Sequence, residues 1–408
     1  MHKMKIYLDN AATTKVDDKV LKAMLPYFTK EYGNASSLHM QGTEAKTALE
    51  KARKIIAKKI NTKSSEIYFT SGGTEANNWA LKGLFWENYP NKNHIITTKI
   101  EHDATLNTCK WLETQGAKIT YLNVDKQGFI DLKELENSIT PKTILVSIIH
   151  GNNEIGTIQD LKKIGEICKK KNILFHTDAT QSFTKTELNV KKMNLNLVSI
   201  NSHKIHGPKG VGALYIKEGI KITPLMHGGG HEKKARSGTE NISGIVGFGK
   251  AIEIKNTPHS TYLNLQNRGT KDIEKMKILR NKLIKEILEK IPNTKLNGPY
   301  PTLNKESSLL EAKRLPNNIN ISFKNVEGEA VGGYLENQGI LVSTGSACMS
   351  NTLASSHVLK AIGLSDLEQN SSIRFSLSKY TTEKEINYLM KKLPNIIKKL
   401  RRLSPLIK

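Results

Sequence analysis

Short apolar runs alternate with segments of helical periodicity through the first half of the chain. Between about Ile67 and Ile216 these runs end in polar or glycine-containing turns, as Ile67–Thr70, His94–Thr98 and Leu197–Asn201 do. Strands that alternate with helices favour a mostly parallel sheet with helical crossovers. The pattern therefore predicts an α/β fold for this region.

The second half of the chain is dominated by long helical patterns. Apolar residues from Ile273 to Ile287 recur at helical spacing, and a second such stripe follows Thr382, which forms a capping-box pattern with Glu385. We place a domain boundary near Pro258. The predicted organisation is a large domain of residues 15–257 and a smaller α+β domain made of residues 1–14 and 258–408.

One lysine follows a predicted strand in a setting that suits covalent cofactor binding. Ser202-His203-Lys204 lies between the run Leu197–Asn201 and the turn Gly207-Pro208-Lys209-Gly210. The hydroxyl and the imidazole can bind a phosphate, and a lysine held there can form a Schiff base with a carbonyl cofactor. Taken alone, a solvated loop lysine would be the simpler interpretation.

Two other predicted strands end in polar groups of complementary chemistry. Asp178 ends the run Ile173–Asp178, at the edge where open α/β sheets bind ligands, and Gln181 follows. An aspartate there can keep a pyridine nitrogen protonated and the amide can donate to a phenolic oxygen, although Asp178 could instead cap a helix. Ser71-Gly72-Gly73-Thr74 begins a predicted helix, whose free backbone N–H groups can form an anion site. Other glycine-rich turns between a strand and a helix show the same pattern, so this motif alone is not specific.

Two further strand ends complete this set of polar positions. Glu101-His102 follows the strand His94–Thr98. The His102 imidazole can stack on a planar ring and move protons near neutral pH, although a lone histidine is more often structural. The run Ile148-Ile149 leads into His150-Gly151-Asn152-Asn153. Together, the five strand ends suit one phosphorylated aromatic cofactor.

These motifs, in this order, resemble the cysteine desulfurase family of the NifS/IscS kind, in the class V aminotransferase branch of the fold-type I pyridoxal phosphate enzymes. The similarity extends from Tyr7-Leu8-Asp9-Asn10-Ala11-Ala12 to Ser372-Ile373-Arg374-Phe375-Ser376. Its most specific part is Ser343-Thr344-Gly345-Ser346-Ala347-Cys348, which is similar to the loop of group I members, where the cysteine is the nucleophile. The resemblance implies the fold-type I architecture with the cysteine loop in the smaller domain.

The resemblance also implies roles for individual residues. Lys204 would carry pyridoxal 5′-phosphate, His102 would stack on its ring and assist proton transfer, and Asp178 would pair with the pyridine nitrogen. The further implied cofactor contacts are Gln181 at the ring oxygen, then Gly73, Thr74, Asn153, Asn201, Ser202 and His203, with Thr239 arriving from the second subunit of a homodimer. The implied contacts to the substrate carboxylate are Arg374, Asn153 and the weaker candidate Asn34.

The implied reaction takes sulfur from L-cysteine, releases L-alanine and leaves a persulfide on Cys348. The persulfide would pass to an acceptor such as an iron–sulfur scaffold or a tRNA-thiolation protein. No metal site is expected, apart from a transient contact of Cys348 with an iron–sulfur cluster. The alternatives are a selenocysteine lyase on the same scaffold and a non-catalytic protein for cluster assembly or RNA binding.

Several positions depart from the family pattern. Ala35 stands where proline is common, Met349 where threonine is common, and Asn201 where a small residue is frequent. None of them removes a group that the chemistry needs. The segment 297–316 looks longer than in many relatives, and we interpret it as a surface insertion.

Composition adds the cellular setting. The 408 residues are 38% apolar and 25% charged, as in ordinary globular proteins, and no apolar run reaches the roughly 18 residues of a membrane span. The amino terminus reaches Asn10-Ala11-Ala12 too early for a signal or transit segment. We therefore expect a cytoplasmic protein.

The three cysteines fall into two classes. Cys109 and Cys168 lie on apolar helical faces, so both are predicted to be small core residues. Cys348 lies among serine, glycine, threonine and alanine with no apolar face to bury it, which makes it the reactive candidate. Few cysteines in a chain of this length indicate a reducing compartment.

The charge raises a competing hypothesis. The chain has 62 basic and 38 acidic residues, a formal net charge of +24, which is typical of some nucleic-acid-binding proteins. The lysines are spread along the chain without a recognisable nucleic-acid module, so direct nucleic-acid binding is not expected. The densest basic cluster, on the helix after Thr382, could dock an acidic sulfur acceptor or a tRNA-modifying partner.

Overall fold

The structure, a computed structural model, describes residues 5–256, 268–301, 313–344 and 356–404. Cys348 and Met349 lie outside these ranges, as do residues 302–312. The strands are β1 (Ile6–Tyr7), β2 (Ile67–Thr70), β3 (His94–Thr98), β4 (Lys118–Leu122), β5 (Thr143–Ser147), β6 (Leu174–Asp178), β7 (Leu197–Asn201), β8 (Gly212–Ile216), β9 (Thr294–Leu296), β10 (Asn318–Phe323), β11 (Ile340–Leu341), β12 (Ser343–Thr344) and β13 (Ser372–Ser376).

Helices connect these strands and cover the sheets. They are α1 (Asp18–Met24), α2 (Pro26–Thr29), α3 (Met40–Ile60), α4 (Gly73–Asn88), α5 (Asp103–Thr114), α6 (Leu132–Ser138), α7 (Leu161–Lys170), α8 (Ile242–Asn256), α9 (Arg268–Lys290), α10 (Gly328–Glu336), α11 (His357–Ala361), α12 (Asp366–Asn370) and α13 (Glu383–Leu403). Within the described ranges, no helix combines the length and apolar character needed to cross a membrane.

The large sheet confirms the predicted α/β fold. Seven of the described strands pair in the order β2-β8-β7-β6-β5-β3-β4. The neighbours from β7 to β4 are parallel, whereas β8 runs antiparallel to both β7 and β2. Every residue of β3, β5, β7 and β8 is buried, which explains why these strands lack the strict alternation of apolar and polar residues that a sheet with one solvent-exposed face shows.

A second, antiparallel sheet has the order β12-β13-β10-β9, and β1 pairs in parallel with β11 nearby. Ile6 and Leu8 are buried in the same apolar cluster as Ile319 and Phe375. The domain boundaries at residues 15 and 257 stay a prediction. This packing of amino-terminal residues against carboxyl-terminal strands supports them.

The carboxyl-terminal helix begins as predicted. The Thr382 hydroxyl accepts a hydrogen bond from the Glu385 backbone N–H, and the Glu385 carboxylate accepts one from the Thr382 N–H. The apolar face of α13 is buried from Ile386 to Leu400, whereas Leu403, in the last turn of the helix, is 66% exposed. The predicted capping box is therefore confirmed and the stripe ends one turn early.

Two details differ from the sequence-based expectation. The strand expected at Ile148-Ile149 ends earlier, at Ser147. The described ends of segment 297–316 are buried in part, since Asn297 and Arg314 are each 1% exposed, although Tyr300 is 63% exposed. Arg314 donates hydrogen bonds to the Pro299 carbonyl at 2.6 Å and to the Asn318 side chain at 3.0 Å, so these ends pack into the protein.

The two helical cysteines are buried as predicted. Cys109 on α5 is 0% exposed and Cys168 on α7 is 1% exposed. Burial raises the pKa of the Cys109 thiol above its ordinary value and raises that of Cys168 to about 12. Both therefore stay protonated near neutral pH and serve as packing residues.

Candidate active site

A cavity of about 520 Å³ opens at the carboxyl edge of the large sheet. Since β3, β5, β6 and β7 are parallel, the residues that follow them meet at this edge. The predicted site residues that line the cavity are Gly73, Thr74, His102, Asn153, Asp178, Gln181, Asn201, His203, Lys204 and Arg374. The cavity thus brings together residues separated by up to 301 positions in the sequence, from Gly73 to Arg374.

Lys204 lies three residues beyond β7, and its amino group points to the amino-terminal segment. Its Nζ donates hydrogen bonds to the carbonyl oxygens of Ala11 and, at 2.6 Å, of Ala12. The Gln181 side chain also donates to the Ala11 carbonyl, at 2.8 Å. The segment at Ala11-Ala12 therefore forms one wall of the cavity and orients both the lysine and the amide.

Asp178 ends β6 and is 3% exposed. One carboxylate oxygen accepts a hydrogen bond from Asn77 Nδ2 at 2.7 Å, and the other accepts one from the Thr180 backbone N–H at 2.9 Å. These donors fix the plane of the carboxylate and leave it facing the cavity. Asn77 was not predicted as a site residue, although its position four residues after Gly73 on α4 placed it on the same helical face.

The amino terminus of α4 forms a cradle that only glycine fits. The helix starts at Gly73 without a side-chain cap, so its first backbone N–H groups are available to an anion. A Cβ built on Gly73 would lie 2.6 Å from Thr180 Cγ2 and 3.4 Å from Asn201 Nδ2. Any other residue at position 73 would therefore push into the cavity wall.

Ser202 and His203 follow Asn201, the last residue of β7, whose side chain lies beside the Gly73 cradle. The Ser202 hydroxyl is buried and has no hydrogen-bond partner among the described residues. Burial, reinforced by the nearby Lys204 and Lys209 charges, lowers the pKa of His203 to about 4, so its ring is neutral at pH 7. A buried hydroxyl that lacks a partner and a neutral imidazole both suit a ligand that accepts hydrogen bonds.

His102 caps the amino terminus of α5. Its Nδ1 accepts a hydrogen bond from the Ala104 backbone N–H at 3.0 Å, which leaves Nε2 as the nitrogen available to a ligand. The preceding Glu101 is 1% exposed, and burial raises its pKa to about 8. Glu101 accepts hydrogen bonds from the Thr98 hydroxyl and the Ile149 N–H, both at 2.8 Å, and so ties the ends of β3 and β5 together.

Arg374 reaches the cavity from β13 of the smaller sheet. Its side chain is 3% exposed, and it donates hydrogen bonds to Asp9 at 3.0 Å and to the Asn153 carbonyl at 3.2 Å. Its Nε is buried without a partner in the described ranges. A guanidinium held in this way is suited to a carboxylate ligand.

Three of the predicted site residues that the structure describes do not line the cavity. Ser202 is one of them, although its neighbours Asn201 and His203 do line it. Asn34 is exposed, and its side chain accepts a hydrogen bond from the Ser36 N–H instead. Thr239 is exposed on the surface of this chain, and its contact with a second subunit stays a prediction. Cys348 lies outside the described residues.

Comparison with known proteins assigns the family. Residues 6–389 match the family model for aminotransferase class-V. The chain belongs to the class-V aminotransferase family. Cysteine desulfurase IscS of Clostridium botulinum is 49% identical to this class-V chain over 403 residues, which cover 98% of the chain and 96% of the relative.

Solved structures of the family agree with this assignment. A NifS-like protein aligns with a TM-score of 0.86 and 40% identity, over 97% of this chain and 100% of that chain. SspA, solved in complex with cysteine, aligns with a TM-score of 0.76 and 37% identity, over 93% of this chain and 100% of that chain. The predicted resemblance and the fold-type I architecture are thereby confirmed.

The cofactor of this class-V enzyme is pyridoxal 5′-phosphate, and the cavity fits it. The cradle at Gly73 and the unpartnered Ser202 hydroxyl suit the phosphate, and Asp178 suits the pyridine nitrogen. Lys204 and Lys209 both line the cavity, and Lys204 is the one that the resemblance implies as the anchor. The donor set therefore matches each end of the cofactor.

Proposed function

We propose that this protein is a cysteine desulfurase that removes sulfur from L-cysteine, releases L-alanine and leaves a persulfide on Cys348. The observation that carries the proposal is the convergence of Lys204, Asp178 and Arg374 on one cavity. This combination supplies a covalent anchor, a partner for a pyridine nitrogen and a fork for an amino-acid carboxylate. The identity to cysteine desulfurases over nearly the whole chain supports the choice of L-cysteine.

Lys204 does the proton chemistry at Cα, and Asp178 supports it at the pyridine nitrogen. When bound, pyridoxal phosphate supplies an electron sink that makes the Cα proton acidic. Lys204 Nζ, which would also hold the cofactor, would accept that proton. Asn77 and Thr180 hold the Asp178 carboxylate in place for the pyridine nitrogen. The His102 ring, whose Nδ1 accepts the Ala104 N–H, keeps Nε2 for proton transfer.

Arg374 orients the substrate. The guanidinium already lies beside Asn153, with Asp9 as a counter-charge behind it. A bidentate contact with the carboxylate would pair the buried Nε, which has no partner in the described part of the chain. The amino acid then presents its side-chain sulfur away from the arginine.

Cys348 captures the sulfur. Its thiolate attacks the substrate sulfur, a new S–S bond forms, and the electron pair of the broken C–S bond passes to the substrate carbon, which takes a proton to become the alanine methyl group. Cys109 and Cys168 cannot replace it, because burial keeps both thiols protonated and inaccessible.

We also propose a homodimer in the cytoplasm, in which Thr239 of one subunit contacts the cofactor phosphate of the other. The exposed position of Thr239 in a turn anchored to this chain supports a contact in trans. The persulfide would then pass to an acceptor such as an iron–sulfur scaffold or a tRNA-thiolation protein.

Mass spectrometry after addition of L-cysteine, combined with alanine release, tests the proposal. The unaltered protein should gain one sulfur on the peptide that contains Cys348. Cys348→Ser should still bind the cofactor and respond spectrally to L-cysteine, but should form no persulfide and release little alanine, since a hydroxyl is a poor nucleophile toward sulfur. Cys109→Ala and Cys168→Ala are the matched controls and should keep turnover.

Two outcomes would contradict the proposal. Substantial alanine release from L-cysteine by Cys348→Ser would overturn the persulfide step. Release of alanine from L-selenocysteine but not from L-cysteine by the unaltered protein would favour a selenocysteine lyase.

A further inference from the structure

An ion pair that the reaction does not use lies beside the cofactor-phosphate cradle. Arg236 Nε donates a hydrogen bond to Glu75 Oε1 at 2.8 Å, and Arg236 Nη2 donates one to Glu75 Oε2 at 3.0 Å. The side chains are 18% and 12% exposed. This bidentate geometry in a mostly buried setting distinguishes the pair from the many exposed ion pairs of this chain.

Glu75 occupies an unusual position for a carboxylate. It lies in the first turn of α4, two residues after Gly73, and it lines the same cavity as Gly73, Thr74 and Lys204. Its carboxylate also accepts a hydrogen bond from the Ser71 backbone N–H at 2.8 Å. Glu75 therefore braces the turn that precedes the helix, but it also brings a negative charge close to the site proposed for a phosphate.

Two negative groups in one partly buried site repel each other unless a cation lies between or beside them. Burial alone would oppose ionisation of Glu75, but hydrogen bonds from Arg236 and Ser71 outweigh it and lower the pKa of the carboxyl group. Glu75 is therefore ionised when the cofactor binds. The phosphate of pyridoxal phosphate also carries between one and two negative charges near neutral pH.

We propose that Arg236 is a positioning residue of the cofactor-phosphate site, which neutralises Glu75 so that this carboxylate can brace the turn before α4 without repelling the phosphate. Arg236 acts through Glu75 rather than by touching the cofactor, since Glu75 lines the cavity and Arg236 does not. The inference rests on the phosphate position proposed above.

The chain around Arg236 is built to hold it in place. Gly238 has a φ of +113°, and a Cβ there would lie 3.3 Å from Arg236 Nη1, so glycine lets the turn close against the guanidinium. The Ser237 hydroxyl donates to the Gly229 carbonyl at 2.8 Å. Upstream, Glu232 binds the buried Arg53 at 2.7 Å. The segment therefore keeps its place when the Arg236–Glu75 pair is altered.

The test compares the affinity of the cofactor-free full-length chain for pyridoxal phosphate and for pyridoxal, which lacks the phosphate. Arg236→Gln should raise the Kd for pyridoxal phosphate by about tenfold or more, since it leaves Glu75 uncompensated. Glu75→Gln combined with Arg236→Gln should restore the Kd to within about threefold of the unaltered value, because the amide pair is neutral and can still hydrogen-bond. The Kd for pyridoxal should stay unchanged in both.

Lys63→Gln is the matched control. It removes one positive charge and breaks the 2.6 Å ion pair between Lys63 and Glu218. The two side chains are 68% and 69% exposed. This variant should leave both Kd values unchanged. If Lys63→Gln weakened pyridoxal phosphate binding as much as Arg236→Gln does, the loss of affinity would be due to the net charge of the protein. That result would overturn the inference.

Four outcomes are decisive. An Arg236→Gln protein with unaltered affinity for pyridoxal phosphate would overturn the inference, and so would equal losses for pyridoxal phosphate and pyridoxal, which would indicate a structural tether. Failure of the double variant to regain affinity would exclude charge compensation. If the unaltered chain bound both ligands equally, the proposed phosphate position itself would be wrong.

Discussion

Replacement of Gly207 by alanine tests whether Ser202 binds the cofactor phosphate. Gly207 is buried in the turn after Lys204, and a Cβ built on it would overlap the Ser202 hydroxyl oxygen while lying 3.1 Å from the Ser202 carbonyl oxygen and 3.2 Å from Ser202 Cβ. The added methyl group must therefore displace the hydroxyl. Since that hydroxyl has no other hydrogen-bond partner in the described structure, its displacement should affect the cofactor in particular.

Two magnitudes follow from this geometry. Overpacking of a buried position costs about 1–3 kcal/mol in the free energy of unfolding of the cofactor-free chain. A hydrogen bond to a charged group is worth about 1.5–3 kcal/mol. Its loss should raise the Kd for pyridoxal phosphate about 10- to 150-fold.

The assay combines urea unfolding of the cofactor-free protein with a pyridoxal phosphate titration. Ser202→Ala is the matched variant, since it removes the hydroxyl without adding a methyl group. We expect Ser202→Ala and Gly207→Ala to weaken the cofactor by similar factors. In the double variant the overlap is relieved, so the loss of stability should be smaller than for Gly207→Ala alone and the loss of affinity no larger. Full affinity in Gly207→Ala, or strictly additive affinity losses, would refute the role of Ser202.

Two further predictions concern other parts of the chain. Burial opposes ionisation of Asp17, but hydrogen bonds from Lys379 and Tyr380 lower its pKa to about 2, below the value in an unfolded chain. The ionised Asp17 therefore stabilises the fold above about pH 4, and this contribution is lost as the pH falls toward 2. Asp17→Asn should thus cost about 1–2 kcal/mol by urea unfolding at pH 7, after allowance for solvent screening, and less at pH 3, and a difference that grew on acidification would contradict it. Mixing inactive Lys204→Ala chains with inactive Thr239→Ala chains should restore part of the activity if Thr239 acts in trans, whereas a fully active monomer would exclude that arrangement.

Much of the site could be predicted because its chemistry is carried by short segments. The end of each parallel strand contributes one polar group, as Asp178 does in the last position of β6 and Lys204 does after β7. Parallel strands bring their carboxyl ends to one edge whatever the loops between them do. Order along the chain was therefore enough to predict that these residues meet.

Partners from distant segments could not be predicted in this way. Three such contacts join residues that have no fixed spacing along the chain. Lys204 donates to the Ala11 carbonyl, the Asn77 amide donates to Asp178, and the Arg236 guanidinium pairs with Glu75. Each contact depends on how a helix or a terminal segment packs on the sheet. Asn34 illustrates the limit, because a motif match implied its substrate contact, whereas this chain leaves the residue exposed and the contact stays a prediction.

The sequence by itself determined which strand ends carry the polar groups of the site, the burial of Cys109 and Cys168 and the capped start of α13. Periodicity and local hydrogen bonding, which carry this information, act over a few residues. The tertiary structure alone decided which charges compensate one another. Arg374 of the smaller sheet donates hydrogen bonds to Asp9 and Asn153. The pKa of His203 is lowered because its ring is buried and lies near the charges of Lys204 and Lys209. Electrostatic environments are sums over neighbours in space, so they exist only once the chain has folded.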